Sequence, residues 1–318
     1  MRFKISPLAS QDSFGAVVTE MSPDAIDDAA TRQALYELWI DRGVIVFRGL
    51  EGGADTQLRL SEIFGEMQDH PLTKSMGIKV DDTRLSDIRY DPGESDLYEL
   101  EDGETRGAWL PWHYDLVYVD KINRGGILRP LVLPKEGGDT GFIDQIAAYA
   151  SLPRSLAEKV EHLSVVYRFN VDSSQTPFTV PRPNRRVRRH FHSKLVMESF
   201  AGNPRVIHPM VYAQAETGRK VLNVSPWFAE GIEGMETPEG DALLRQVIAF
   251  ATDTRLAYFH RWQPDDMVLW DNWRMMHCAL GVPENEPRHL QRTTIAGDYG
   301  RGRIEGEGAV APDTLIDI

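Results

Sequence analysis

Cysteine is almost absent from this chain, and excess positive charge and long apolar runs are absent altogether. The single thiol, Cys278, can form neither an internal disulfide nor the multi-thiolate sites that bind structural zinc. The net charge of −13 disfavours binding to nucleic acid or to anionic membrane. No apolar run approaches the roughly 20 residues that span a bilayer, and the first residues lack the apolar segment of a signal peptide. These absences predict a cytoplasmic protein without nucleic-acid or membrane partners.

What is present suits one large globular domain. The chain has 318 residues, of which 42% are apolar and 26% charged, so it can bury a sizeable core. We find neither internal repeats nor low-complexity linkers. We therefore treat residues 1–318 as a single domain.

Short apolar runs, separated by glycine, proline and aspartate, are typical of a β-sandwich or barrel. Strands are predicted at 44–47 and near 112–119, 127–133, 205–212, 220–224, 267–270 and 290–296. Helices are predicted at 22–41, from Asp55 through Phe64, and near 154–162 and 238–252. In the first helix, Ser22 can cap and Pro23 suits the first turn. The pattern predicts a mainly β fold with helices packed outside.

Residues 169–204 differ from the rest of the chain because they combine four prolines with a basic run between Arg182 and Arg189. A long stretch with little predicted structure inside a compact domain is either a functional lid or a solvated loop. Both interpretations stay open. From about residue 300 the sequence predicts a loosely held tail.

His113 and Asp115 stand two residues apart, and a strand would direct both side chains to one face. His277 follows an apolar strand and a turn in MVLWDNWRMMH. Two histidines and one carboxylate can form the facial triad that holds ferrous iron and leaves its other positions open. Zinc accepts the same ligands, and a single His-x-Asp is common by chance, so this pattern alone leaves the metal undecided.

Arg288 and Arg292 would share one face of a strand at 288–296 with Leu290 and Thr294. Two guanidinium groups on an inward face are costly unless each meets an anion. Arginine suits this task because its planar fork binds a carboxylate through two hydrogen bonds. The alternative is a pair of surface arginines on an outer face.

Ordered motifs between about residues 36 and 298 resemble the taurine dioxygenase / 2,4-dichlorophenoxyacetate dioxygenase (TauD/TfdA) family of 2-oxoglutarate-dependent enzymes. The motifs are GVIVFRGL, FGEMQDHP, WHYD, GGDTGFID, HPMV, TGRKVLNV, GIEGM, LWDNWRMMH and RHLQRTTIAGD. The resemblance implies a double-stranded β-helix, or jelly roll, with outer helices. It also implies a homo-oligomer, either a dimer or a tetramer.

The resemblance further implies a cofactor and two co-substrates. His113, Asp115 and His277 match the family's Fe(II) ligands, which serve catalysis with 2-oxoglutarate and O2. Thr140 and Arg288 match the residues that bind the distal carboxylate of 2-oxoglutarate.

The substrate residues are implied in the same way. Arg292 and His70 match the residues that contact the anionic group of the substrate in taurine-type members. Trp109 and Thr73 depart from the taurine pattern, in which a small amide and a tyrosine stand at these positions. A cation at one end of a pocket and an indole wall at the other favour an amphipathic acid. The alternative is that Arg292 pairs with a core carboxylate and turns away from the metal.

The sequence therefore predicts an enzyme that hydroxylates a small organic anion with an apolar or aromatic body. An aryloxyalkanoate is the leading candidate, and cleavage could follow hydroxylation. Alkyl sulfonates, sulfate esters and natural-product or amino-acid-like acids are the alternatives. A zinc-dependent hydrolase and a non-enzymatic jelly-roll binding module are more distant readings.

Overall fold

The computed structural model describes residues 2–8, 13–69, 83–190, 196–198, 200 and 202–307. The strands are β1 (Lys4–Ser6), β2 (Ala16–Thr19), β3 (Val44–Arg48), β4 (Leu85–Tyr90), β5 (Leu97–Glu99), β6 (Thr105–His113), β7 (Gly125–Val132), β8 (Thr140–Asp144), β9 (Ser164–Tyr167), β10 (Arg185–Arg188), β11 (Val206–Pro209), β12 (Val211–Ala213), β13 (Lys220–Leu222), β14 (Ala229–Ile232), β15 (Ala257–His260), β16 (Asp266–Asp271), β17 (Met275–Pro283), β18 (Arg288–Ile295) and β19 (Arg303–Ile304). The α-helices are α1 (Ala29–Arg42), α2 (Gly53–Ser61), α3 (Gln145–Ala150), α4 (Arg154–Val160) and α5 (Pro238–Ala251), and short 3₁₀ segments occupy Pro23–Asp27, Ser173–Gln175 and Thr254–Leu256.

Two large, mostly antiparallel sheets form the centre of the molecule. One is seven-stranded, in the order β1-β2-β3-β16-β7-β18-β4, and the other is six-stranded, in the order β10-β5-β6-β17-β8-β15. A four-stranded sheet has the order β14-β9-β11-β19, and α5 packs against its strand β14. Residues of both large sheets line a common cavity, so the two sheets face each other. The architecture is mainly β, as predicted.

Strands β3 and β16 at the middle of the seven-stranded sheet are buried on both faces. Alternate side chains leave a strand on opposite sides, which separates each strand into two sets. The set that packs under α1 and α2 consists of Ile45, Phe47, Met267 and Leu269. The set that packs toward the six-stranded sheet consists of Val44, Val46, Val268 and Trp270. Each such side chain contributes about 1.5–3 kcal/mol by burial, which fixes the sheet that carries part of the site.

The helix predicted at 22–41 is broken at Asp28. A 3₁₀ segment precedes the break, and α1 begins after it because the Asp28 carboxylate accepts the Thr31 N–H at 2.9 Å. Ser22 makes no side-chain cap, which corrects the predicted start. Gly43 ends the helix, with φ of 74°. The second helix is also displaced, since α2 starts at Gly53 and ends at Ser61.

Several predicted elements are present with shifted bounds. The predictions near 127–133, 220–224, 267–270 and 290–296 correspond to β7, β13, β16 and β18, and those near 154–162 and 238–252 correspond to α4 and α5. The strand predicted near 205–212 is two strands, which belong to different sheets. The strand predicted near 112–119 is wrong from residue 114 onward, because β6 begins at Thr105 and ends at His113. None of the helices in the described ranges has the length and apolarity to cross a bilayer.

The basic run within residues 169–204 forms an ordered edge of the six-stranded sheet. Strand β10 pairs with β5, and its arginines meet carboxylates of the same chain. The ion pairs are Arg185–Glu99 at 2.7 Å, Arg186–Asp96 at 2.5 Å and Arg188–Glu284 at 2.8 Å. The run therefore has intramolecular partners. Residues 301–307 are likewise held, since β19 pairs with β11, whereas the sequence predicted a loose tail from about residue 300.

Candidate active site

His113 and His277 meet because their strands pair. Strands β6 and β17 are antiparallel and place the two residues opposite each other, with ring centroids 4.4 Å apart. Each ring is held through Nδ1, which lies 2.7 Å from the Pro111 carbonyl in His113 and 3.4 Å from the Met275 carbonyl in His277. When Nδ1–H donates to these carbonyls, both Nε2 atoms remain as acceptors.

Asp115 reaches the histidines from a turn that follows β6. The prediction that strand alternation would align it with His113 is wrong in this detail, because the strand has ended and Leu116 adopts a φ of 56°. Asn272 holds the turn from both sides. Its Oδ1 accepts the Asp115 N–H at 2.9 Å, and its Nδ2 donates to the Asp115 carbonyl at 3.0 Å. A buried amide therefore positions the carboxylate.

The three side chains form one cluster with the composition of a metal site. Asp115 Oδ1 lies 3.7 Å from Nε2 of His113 and 3.7 Å from Nε2 of His277. The three donor atoms all lie within 4.8 Å of one another. Two nitrogens and one oxygen on one side of an ion would leave its other positions open toward the adjoining cavity.

The charge states of the cluster suit metal binding. Burial alone would raise the pKa of Asp115, but the charge of Arg292 and the two adjacent histidines hold it well below its usual range. Burial lowers the pKa of His277, and neighbouring His113 lowers it further. An ionised carboxylate and a neutral imidazole are the forms that bind divalent metals.

Arg288 lies beside a cavity of about 60 Å³ between the two sheets, which Thr140 also lines. Thr140 Oγ1 accepts the Trp262 indole N–H at 3.0 Å, so its own hydroxyl hydrogen remains available. Within the described residues, Arg288 donates one hydrogen bond, to the Gly138 carbonyl at 3.3 Å, and its Nε has no partner. Burial lowers the pKa of Arg288 to about 10, opposed by the charge of Asp139. This cavity therefore suits an anion.

Arg292 reaches the His113–Asp115–His277 cluster itself. It lies four residues beyond Arg288 on β18. Its Nη1 lies 2.9 Å from Asp115 Oδ2, the carboxylate oxygen that is not shared with the histidines. Its Nε is buried and without a partner among the residues described. Arg292 thus does pair with a carboxylate, but that carboxylate belongs to the cluster, so the guanidinium faces the site.

A cavity of about 420 Å³ opens from the cluster, with His113, Asp115 and Arg292 in its lining. Its aromatic lining consists of Tyr98, Trp109, Tyr118, Phe169, Trp227 and Phe228. Trp109 packs against Tyr98 at 5.4 Å between centroids, and Trp227 meets His113 edge-on at 5.3 Å. One end of the cavity is therefore cationic and the walls are largely apolar.

The structure brings together Trp109, His113, Asp115, Thr140, His277, Arg288 and Arg292 around the two cavities. His70 and Thr73 lie outside the described residues.

The family model described as "Taurine catabolism dioxygenase TauD, TfdA family" matches residues 4–294. The chain belongs to the TauD/TfdA family. A taurine dioxygenase from Burkholderia xenovorans has a similar structure, with a TM-score of 0.69 and 23% identity over 94% of this chain and 92% of that one. This likeness confirms the predicted jelly-roll fold.

Two curated relatives of this TauD/TfdA-family chain cover nearly its whole length. The (S)-phenoxypropionate/alpha-ketoglutarate-dioxygenase of Sphingobium herbicidovorans is 28% identical, over 93% of this chain and 96% of its own. The alpha-ketoglutarate-dependent sulfate ester dioxygenase of Pseudomonas putida is 27% identical, over 96% and 93%. With the His-Asp-His cluster, family membership makes the chain a non-haem iron(II) dioxygenase that uses 2-oxoglutarate and O2.

Sequence reasoning missed several side chains of this TauD/TfdA-family site. Asn272 carried a usable signal, because a buried amide at the end of an apolar strand needs specific partners. Tyr98, Trp227 and Ser173 carried none, since each comes from a segment whose position depends on distant pairing. The cavity walls therefore emerge only from the folded chain.

Proposed function

We propose that this TauD/TfdA-family enzyme hydroxylates a small organic anion with an apolar or aromatic body, such as an aryloxyalkanoate. The observation that carries the proposal is the cavity of about 420 Å³, which joins a cationic end at the metal cluster to an aromatic wall. A cation fixes the anion and thereby the carbon presented to the metal. The wall sets the length and shape of the remainder.

His113, Asp115 and His277 are the proposed iron ligands. The donor set fits ferrous iron, since it offers two imidazole nitrogens and one carboxylate oxygen on a single side. The two carbonyls behind the histidine rings keep Nε2 directed at the ion. The two hydrogen bonds from the Asn272 side chain to the Asp115 backbone keep the turn in place.

Arg288 and Thr140 are the proposed contacts of the distal carboxylate of 2-oxoglutarate. Arg288 is a buried cation whose Nε lacks a partner in the described part of the chain, and Thr140 retains a hydroxyl hydrogen to donate. A carboxylate bound between them would satisfy both groups at once. The position of the small cavity beside the cluster lets one molecule span from Arg288 to the metal.

Arg292 has two proposed tasks. Its Nη1 donates a hydrogen bond to Asp115 Oδ2, so Oδ1 is the carboxylate oxygen that would bind an ion. Its Nε has no hydrogen-bond partner within the described residues, and it is the proposed contact of the anionic group of the substrate. His70 remains a proposed second contact of that group.

The chain's own contribution to the reaction is binding, orientation and exclusion of water. Bound iron and 2-oxoglutarate supply the oxygen activation needed to hydroxylate a C–H bond. Arg292 orients the substrate anion, and Trp109 with Trp227 excludes water around the apolar body. Restricting Asp115 to one oxygen leaves room at the metal for the co-substrates.

An alkyl sulfate or sulfonate is the second candidate substrate. Arg292 could hold a sulfate oxygen as well as a carboxylate, and the apolar wall could accept an alkyl chain. The relative from Pseudomonas putida, named as a sulfate ester dioxygenase, favours keeping this class.

An anaerobic substrate panel tests the proposal. The enzyme with Fe(II) and 2-oxoglutarate would be titrated with phenoxyacetate, 2-phenoxypropionate, hexyl sulfate and taurine, with phenoxyacetamide as a neutral control. We expect an aryloxyalkanoate to give the strongest metal-centred spectral change, and admission of oxygen to yield succinate with the hydroxylated product. A best substrate that is neutral or cationic would contradict the proposal.

A further inference from the structure

Four tyrosines line the large cavity within the described part of the chain, and Tyr118 differs from the other three in its hydroxyl group. Tyr90, Tyr98 and Tyr114 each donate a hydrogen bond to a backbone carbonyl, at 2.9, 3.2 and 3.3 Å respectively. None of the hydrogen bonds among the described residues involves the Tyr118 hydroxyl. The fold therefore uses three of these hydroxyl groups and leaves the fourth free for another partner.

Tyr118 comes from the same turn that carries the Asp115 carboxylate, three residues further along the chain. The Val119 N–H donates to the Leu116 carbonyl at 3.0 Å, which keeps this turn tight. The side chains of Asp115 and Tyr118 line one cavity together with Arg292. The turn thus supplies both a proposed metal ligand and a phenol to the site.

Three phenylalanine rings hold the Tyr118 side chain in place. Its ring centroid lies 4.6 Å from that of Phe169, 4.9 Å from Phe228 and 5.7 Å from Phe200, each in an edge-on arrangement. The residue is only 6% exposed. A ring packed in this way has little conformational freedom left to lose when its hydroxyl binds a ligand.

The phenol is a neutral donor beside two opposite charges. Burial raises the pKa of Tyr118, the charge of Asp115 raises it further, and the charge of Arg292 lowers it. Arg292 already pairs with Asp115 at 2.9 Å, which offsets the attraction of the guanidinium for a second anion. A neutral O–H group near Arg292 would strengthen the binding of an anion without adding charge to a buried site.

We propose that the Tyr118 hydroxyl donates a hydrogen bond to the anionic group of the substrate, alongside Arg292, and so determines the preference for anions. The two donors together suit a group with at least two accessible oxygens, such as a carboxylate or a sulfate. This inference rests on the proposed function, because it takes the substrate anion to lie at Arg292.

Tyr118→Phe tests the inference, because it removes the hydroxyl and keeps the ring. The probes are 2-phenoxypropionate and hexyl sulfate, with 2-phenoxypropionamide as the neutral analogue. Their dissociation constants come from anaerobic titration of the Fe(II)/2-oxoglutarate enzyme. We expect Tyr118→Phe to weaken the anion that the wild type binds by roughly 10- to 100-fold, and the amide by a smaller factor.

Two further measurements separate substrate contact from a structural role. Calorimetry should give Tyr118→Phe a wild-type affinity for 2-oxoglutarate, and thermal unfolding of the ligand-free variant should be unchanged, because the hydroxyl has no partner among the described residues. Tyr149→Phe is the matched control. Its hydroxyl bonds to Glu161 outside the cavity, so this variant should bind the anions as the wild type does.

The inference alone is overturned if Tyr118→Phe keeps the wild-type affinity for the anions. It is also overturned if the affinities for substrate anion and 2-oxoglutarate fall by the same factor, or if the ligand-free variant loses stability. If the wild type binds 2-oxoglutarate but neither anion, the proposed function itself fails and takes the inference with it.

Discussion

Arg274 and Arg288 are both buried guanidinium groups, yet their surroundings differ in kind. Arg274 donates Nε and Nη2 to Asp144 at 2.8 and 2.7 Å, and Nη1 to the carbonyls of Ile40 and Asp41 at 3.1 and 2.8 Å. Arg288 has one carbonyl at 3.3 Å and an unpartnered Nε among the described residues. A complete set of partners indicates a structural role, whereas an incomplete set indicates a place for a ligand.

Two further arginines extend the comparison. Arg124 lies between the rings of Trp39 and Trp273 and pairs with Asp271 at 3.2 Å, so it is satisfied by the fold. Arg292 combines both kinds of surroundings, since Nη1 donates a hydrogen bond to Asp115 and Nε has no partner among the residues that the structure describes. Arg292 therefore serves the structure of the cluster and the binding of the substrate together.

The largest effect should come from the cluster that the arginines surround. Asp115→Ala should abolish iron-dependent succinate formation, because the loss of one of three ligands opens the site. Succinate release and iron content would be measured together, with Asp298→Ala, at the surface, as the control. Retention of most hydroxylase activity by Asp115→Ala would show that the ligand assignment is wrong.

Removal of the fully partnered arginine should affect folding. Arg274→Ala leaves the buried Asp144 carboxylate uncompensated, so the free energy of unfolding should fall by about 3–5 kcal/mol. Urea denaturation measures the loss. The exposed pair Arg154–Glu158 supplies the control, since Arg154→Ala should change stability by about 1 kcal/mol at most. Equal losses in the two variants would remove the distinction between the two kinds of arginine.

Arg292→Lys should separate the two tasks of that residue. Lysine keeps the charge but loses the planar fork, so one of the two contacts must be given up. We expect KM for anionic acids to rise roughly 10- to 100-fold, with a smaller change in 2-oxoglutarate affinity. Iron affinity is measured alongside, because the variant also alters the bond to Asp115. Equal effects on anionic and neutral analogues would argue against substrate contact.

Trp109→Ala should have the smallest effect on catalysis. The substitution removes part of the apolar wall without touching the cationic end. The ratio of kcat/KM between 2-phenoxypropionate and hexyl sulfate should therefore shift roughly tenfold or less. Trp112→Phe is the control, because the Trp112 ring packs against Phe259. An unchanged ratio in Trp109→Ala would place the specificity elsewhere on the wall.

The sequence predicted the strands that have a clear hydrophobic pattern and the motifs that contain the metal ligands. Strands β3, β16 and β18 follow from short apolar runs, and the histidines and arginines follow from residue types that need partners. The pairing of His113 with His277 could not be read from the chain, because it depends on the register of distant strands. The turn at Asp115 was missed for a related reason, because the side chain that holds it, Asn272, is distant in the sequence.

Other misses have local causes. Strand β8 begins with Thr140-Gly141, and glycine weakens any strand signal. The basic run in β10 indicated a lid or a solvated loop because its carboxylate partners are scattered over the sequence. Charge compensation of this kind becomes visible only in three dimensions.

The measurement that tests the account most directly is the affinity of Arg288→Leu for 2-oxoglutarate, determined by anaerobic calorimetry with iron present. We predict an affinity roughly a hundredfold or more below that of the wild type, because the distal carboxylate loses its counter-charge. The ligand-free variant should be no less stable than the wild type, because an incompletely partnered buried cation has been removed. Arg129→Leu, on the outer face of the same sheet beside Gln57, should bind 2-oxoglutarate normally. Unchanged affinity in Arg288→Leu, or a loss of ligand-free stability as large as that of Arg274→Ala, would contradict the account.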